Sequence, residues 1–170
     1  MTSVLKVDNI QNSSGTSALE IDSSGNVIPA ASGSVLQMVT KLDTDYDEIE
    51  TTSTSFTTTG MSISITPKKS DSKILVRFDF NADNGGSNSS VMWTIYRGST
   101  NLKPSDVDAI VRVHDLGSRI LANQTAILVD EPNTTNEVTY TLYHRVNSGG
   151  PVRTRNDLTQ MVMTLTEISA

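Results

Sequence analysis

Carboxylates at alternate positions are the first chemical signal in this 170-residue chain. Asp43, Asp45 and Asp47 could supply the first three ligand positions of a calcium loop, which takes oxygen donors from every second residue. The pattern then fails. Glu48 stands where the sharp turn needs a glycine, and Thr54 where a bidentate glutamate should close the site. Asp43, Asp45 and Asp47 are thus the metal candidates, set against the better reading of a solvated acidic loop.

The two histidines give no more. His144 shares the parity of Val138, Tyr140 and Leu142, which points it into a core or an interface, while His114 has Asp115 only as a sequence neighbour. The chain has no Gly-x-Ser-x-Gly elbow, His-Glu-x-x-His, Walker loop or dinucleotide fingerprint. Its 22 Ser and 22 Thr make a serine near a histidine uninformative. No catalytic residue and no cofactor is assigned, and the expectation is a non-enzymatic protein. Tyr96 and Tyr143 are the better candidates for recognition, because their parity opposes the main apolar face of their strands. Burial between subunits explains them equally well.

The elements that carry these residues repeat with period two. Ile74, Val76, Phe78 and Phe80 alternate with Lys73, Leu75, Arg77 and Asp79; Val91, Trp93 and Ile95 alternate with Met92, Thr94 and Tyr96. Such alternation means half-buried strands, and Val, Ile, Thr and Tyr suit them. Further strands are expected at Val35–Thr40, Ser53–Thr59, Met61–Thr66, Thr125–Asp130, Glu137–Val146, Val152–Arg155 and Thr159–Ile168, separated by turns rich in Pro, Gly and Asn. Ser105–Gly117 fits a short helix capped by Ser105 and closed by Gly117, but Ile110–Val113 is β-branched and fits a strand as well. The whole reads as all-β, an antiparallel sandwich or jelly roll with a short β-structured N-terminal arm.

Composition narrows the partners. The net charge is −6, so no basic stripe exists for a nucleic acid. No apolar run approaches the roughly 20 residues that cross a bilayer, so membrane insertion is not expected. Met1-Thr2-Ser3 opens no signal-peptide pattern. The absence of cysteine removes disulfides and thiolate metal sites.

Pro29–Ser34 divides the chain into an arm (residues 1–30), a linker (31–33) and a head (34–170). The arm carries three short strand patterns and a repeated Ser-Ser-Gly. Strands so short and so poor in large apolar residues do not hold themselves in water. Leu5, Val7, Ile10, Leu19 and Ile21 are therefore expected to dock on something else, the alternative being an open edge of the chain's own sandwich. The last strand is apolar on both parities. Met161, Val162, Met163 and Leu165, with Tyr143, are expected at a subunit interface; the alternative is a central strand of a monomer.

Leu5-Lys6-Val7-Asp8-Asn9-Ile10, followed by Leu19-Glu20-Ile21-Asp22-Ser23-Ser24-Gly25-Asn26-Val27, resembles the N-terminal segment of structural and tail-fibre-like proteins of marine bacteriophages. Gly33-Ser34-Val35-Leu36-Gln37, Ser72-Lys73-Ile74-Leu75-Val76 and Asp130-Glu131-Pro132-Asn133 resemble the jelly-roll head of the same group, which is similar to tumour-necrosis-factor-like folds. The resemblance implies a homotrimer on the virion surface, joined to other virion proteins through residues 1–30. It would act as a short fibre or a capsid decoration. Loops Asn81–Ser90 and Ser148–Arg155 could then face a host surface glycan, with Tyr96, Asn84, Asn88 and Arg153 as the receptor surface. A soluble carbohydrate-binding module is the alternative.

Overall fold

A computed structural model describes residues 6–44, 47–86, 88–114, 117–155 and 160–170. The described residues form fourteen strands and no helix. The arm holds β1 (Asn9–Gln11), β2 (Ser17–Ile21) and β3 (Val27–Pro29), an antiparallel sheet whose strands pair only with each other. The repeated Ser-Ser-Gly now has a physical reason. Asn12 Oδ1 accepts from the amides of Ser14 and Thr16, and Asp22 Oδ1 from those of Ser24 and Asn26. Each turn closes on a glycine at positive φ, Gly15 at 80° and Gly25 at 82°. The echo is one side-chain-braced turn used twice.

The head begins with β4 (Val35–Leu42), β5 (Ile49–Thr51), β6 (Thr57–Ile65) and β7 (Lys73–Asp83). It continues with β8 (Ser90–Arg97), β9 (Thr100–Asn101), β10 (Val111–His114), β11 (Leu121–Asp130), β12 (Val138–Ser148), β13 (Val152–Arg155) and β14 (Val162–Ile168). They make two packed antiparallel sheets, an all-β sandwich. One runs β10-β8-β12-β6, with β9 beside β8; the other has β14 between β4 and β7, with β13 and β5 continuing along the same side and β11 on the far side of β7. The pairs are nested in sequence: β4 with β14, β6 with β12, β7 with β11, β8 with β10.

The alternating residues fill the space between the sheets. Ile74, Val76, Phe78, Val91, Trp93, Ile95, Tyr140 and Leu142 are fully buried, and the Phe80 and Trp93 rings meet at 5.4 Å. Each large apolar side chain withdrawn from water contributes about 1.5–3 kcal/mol, so this layer dominates the head's stability.

Three expectations change. Ser105–Gly117 holds no helix among its described residues: Val111–His114 pairs with Ser90–Trp93, because Val111 and Val113 pack partly buried on the core and a sheet edge was open to receive them. Ser53–Thr59 and Met61–Thr66 are not two strands. One strand, Thr57–Ile65, runs through Gly60 at φ 79°, and Thr59 Oγ1 donates to the Leu142 carbonyl at the bulge. Met161, Met163 and Leu165 belong to the chain's own core, and the last two have no accessible surface. Their strand is central, so these three side chains are not available to a neighbouring subunit.

Candidate functional site

Two of the three metal candidates in the acidic run are described, and they share one cavity. Asp43 and Asp47 line a cavity of about 270 Å³ with Lys41, Ile49, Thr59, Thr154 and Met161, while Asp45 lies outside the described residues. Among the described residues no group of three His, Asp or Glu side chains could hold a metal ion.

His144 is fully buried and next to Thr154, one of the residues lining that cavity. Trp93 Nε1 donates to Thr154 Oγ1 at 2.9 Å, and that hydroxyl lies 3.1 Å from His144 Nδ1. With one lone pair taken by Trp93, the hydroxyl can give its proton to Nδ1, which leaves the ring proton on Nε2. Nε2 has no protein partner. Burial pushes the His144 pKa down to about 4. This is a neutral core histidine, and the threonine hydroxyl beside it is itself buried and bonded to Trp93.

A second charged cluster ties loops together. Asp83 is fully buried and accepts from Arg119 in a two-pronged pair and from the Gly85 amide at 2.8 Å. Burial alone would raise its pKa; the Arg119 hydrogen bond, the Gly85 amide and the charges of Arg119 and Arg153 outweigh it and hold the carboxyl at about 2. Arg153 also reaches Glu48 at 3.0 Å and Glu50 at 2.5 Å. Arg153 is therefore an ion-pair hub rather than a free receptor contact. Asn84 is likewise corrected: it has no accessible surface, and its Oδ1 accepts from the Ile120 amide. Asn88 stays exposed, at φ 56°.

The sandwich has two outer faces, and they differ in chemistry. On the β4-β14-β7-β11 side, Met38, Leu42, Ile127 and Val129 are 67%, 48%, 49% and 57% exposed. Between them lies a depression of about 400 Å³ lined by Leu75, Arg77, Asp79, Val162, Thr164 and Thr166. Its charges are already satisfied in the plane of the sheet. Arg77 forks onto Asp79 at 2.8 and 3.0 Å, and Thr125 donates to Asp79 at 2.6 Å. Val162 thus keeps an outward place, on the parity opposite to Met161 and Met163.

The β10-β8-β12-β6 face carries the aromatics. Tyr96 and Tyr143, far apart in sequence, stack with ring centres 4.1 Å apart; Phe56 meets Tyr96 edge-on at 6.4 Å, and the Arg145 guanidinium lies 5.2 Å from the Phe56 ring. All four are half-buried. Sequence reasoning selected the tyrosines by parity but missed Phe56 and Arg145, since Phe56 precedes its strand and only the register across β12 brings it near.

In the arm, Val7, Leu19 and Ile21 are half-buried, Ile10 is 44% exposed, and Leu5 lies outside the described residues. No protein-family model matches the chain, and no curated protein matches it.

Proposed function

We propose that this chain is a non-enzymatic surface protein of a bacteriophage virion. It assembles as a homotrimer and is anchored through residues 1–30, as a short appendage or a capsid decoration. The observation that carries the reading is the uncovered face of Met38, Leu42, Ile127 and Val129 around Val162, Thr164 and Thr166. Contiguous apolar surface on a soluble domain marks an interaction site. A second copy fits it better than a charged partner. The chain carries −6, and copies repel one another least where they meet through a face whose charges pair off, Arg77 with Asp79 and Lys73 with Glu131.

Two further features support the reading. The four nested strand pairs are what the wrapped hairpin of a jelly roll requires. The arm is a separate sheet that keeps Ile10 and Val27 exposed, as an element awaiting a docking partner would.

Sedimentation of the full chain at micromolar concentration tests the proposal. A trimer is expected, and Met38→Glu combined with Val129→Glu should give monomers with an unchanged far-ultraviolet spectrum. A monomeric parent protein would overturn it.

A further inference from the structure

We propose that the outer face of the β10-β8-β12-β6 sheet binds an acidic carbohydrate, a pyranose chain bearing carboxylates. The strand register arranges this face in rows. Arg112 and Arg145 lie on either side of a fully buried Met92 across β10, β8 and β12. The next row holds Tyr143 and Thr58 beside a fully buried Thr94, and the one after it Tyr96, Thr141 and Ser62. Strands are spaced about 4.8 Å apart, so the two arginine backbones stand roughly 10 Å apart. That is about the reach from one sugar's carboxylate to that of a near neighbour.

Charge is segregated onto this face. The protein is acidic overall, yet none of the strands β6, β8, β9, β10 and β12 contains an Asp or Glu. Arg112 donates to Ser90 Oγ at 3.1 Å and Arg145 to the Thr54 carbonyl at 3.3 Å. Among the described residues neither forms an ion pair; the cations that do are Lys73, Arg77, Arg97, Arg119 and Arg153. A guanidinium held by neutral acceptors keeps its fork for a carboxylate.

The neighbouring rows suit the rest of such a ligand. Aromatic rings offer apolar surface to the C–H face of a pyranose, and Ser and Thr hydroxyls both donate and accept toward sugar hydroxyls. Two arginines in an acidic protein are too few for a nucleic-acid backbone, which is tracked by many cations. The opposite outer face is the one given above to self-association, so the accessible part of this face, along β12 and β6 and at Arg112, stays open in the assembly. The inference deepens the surface-protein reading and rests on it only for where such a glycan would be met.

The test is calorimetric titration of the full-length protein with oligogalacturonate, its methyl-esterified form and inorganic phosphate at one ionic strength. Oligogalacturonate should bind, the ester at least tenfold more weakly, and phosphate should neither bind measurably nor compete. Arg112→Gln and Arg145→Gln should each weaken binding at least fivefold, and Tyr143→Ala should weaken the acid and the ester alike. Equal affinity for acid and ester, insensitivity to both arginine variants, or no binding would overturn the proposal, as would phosphate competing fully. Sedimentation of the same samples separates the two readings: a trimer that ignores the oligosaccharide sinks the site alone, and a monomer that binds it sinks the trimer alone.

Discussion

At the scale of single residues, the buried ionisable groups set the acid response. His144 is neutral in the native core with its pKa near 4, whereas an unfolded histidine titrates near 6.5. Falling pH therefore protonates the unfolded chain first, and stability present above pH 6.5 is lost down to pH 4. The loss is at most about 3 kcal/mol. Asp83 adds a later step: its carboxylate is stabilised in the fold, and that contribution goes as pH falls from 3.8 toward 2. Denaturant melts between pH 7 and 4 should show the first step in the parent and lose it in His144→Leu. Glu167 offers a sharper case. It is fully buried, and its carboxylate accepts from the Lys68 and Lys69 amides, Ser72 Oγ and Gln37 Nε2. Glu167→Ala takes the acceptor from the buried Ser72 hydroxyl and from the two turn amides and should cost about 1–3 kcal/mol in chemical denaturation. Parity placed His144 in the core from sequence. The role of Glu167 was not legible, because a glutamate in a strand looks solvated until the turn that folds over it is known.

At the scale of elements, period-two alternation located the strands because each has one face on the core, and the rule worked best in β7. It misled where both faces mattered. The Met161, Met163 and Leu165 parity of β14 looked available to another subunit, but a central strand spends one parity on its own core and still shows the other. Ser105–Gly117 was undecidable because its β-branched residues pair only through the edge of β8, a long-range opportunity that local spacing does not encode. The arm's turns lead to a local prediction. A Cβ at Gly25 meets nothing, but the 82° φ is unfavourable for any other residue, by about 1–2 kcal/mol. Gly25→Ala should speed amide exchange in Leu19–Ile21 and leave the melting of the head within about 0.5 kcal/mol of the parent.

At the scale of the molecule, the first three strands form a sheet of their own, apart from the two sheets of the sandwich. The differing chemistry of the two outer faces was not legible in the sequence, since it depends on which strand sits beside which. The arm's strands pair only with each other, and after them the linker residue Gly33 donates to the Ser169 carbonyl, just past the head's last strand, at 2.8 Å. On the proposed assembly, removing residues 1–30 should leave the proposed trimer intact in sedimentation while abolishing incorporation into particles; a head that falls to monomers would move the assembly contacts into the arm. The loops at the far end have another consequence. Gly150 donates to Ser89 Oγ at 2.8 Å, and a Cβ on Gly149 would meet the Asn88 carbonyl at 2.5 Å and Ser89 Cα at 2.7 Å. Gly85 faces Pro151 just as closely. These two segments interlock like a buckle, so randomising either one to create new binding specificities would yield mostly misfolded clones. Ser13-Ser14 and Ser23-Ser24, exposed beside glycines whose surroundings are open, are where a foreign peptide could be spliced in and displayed.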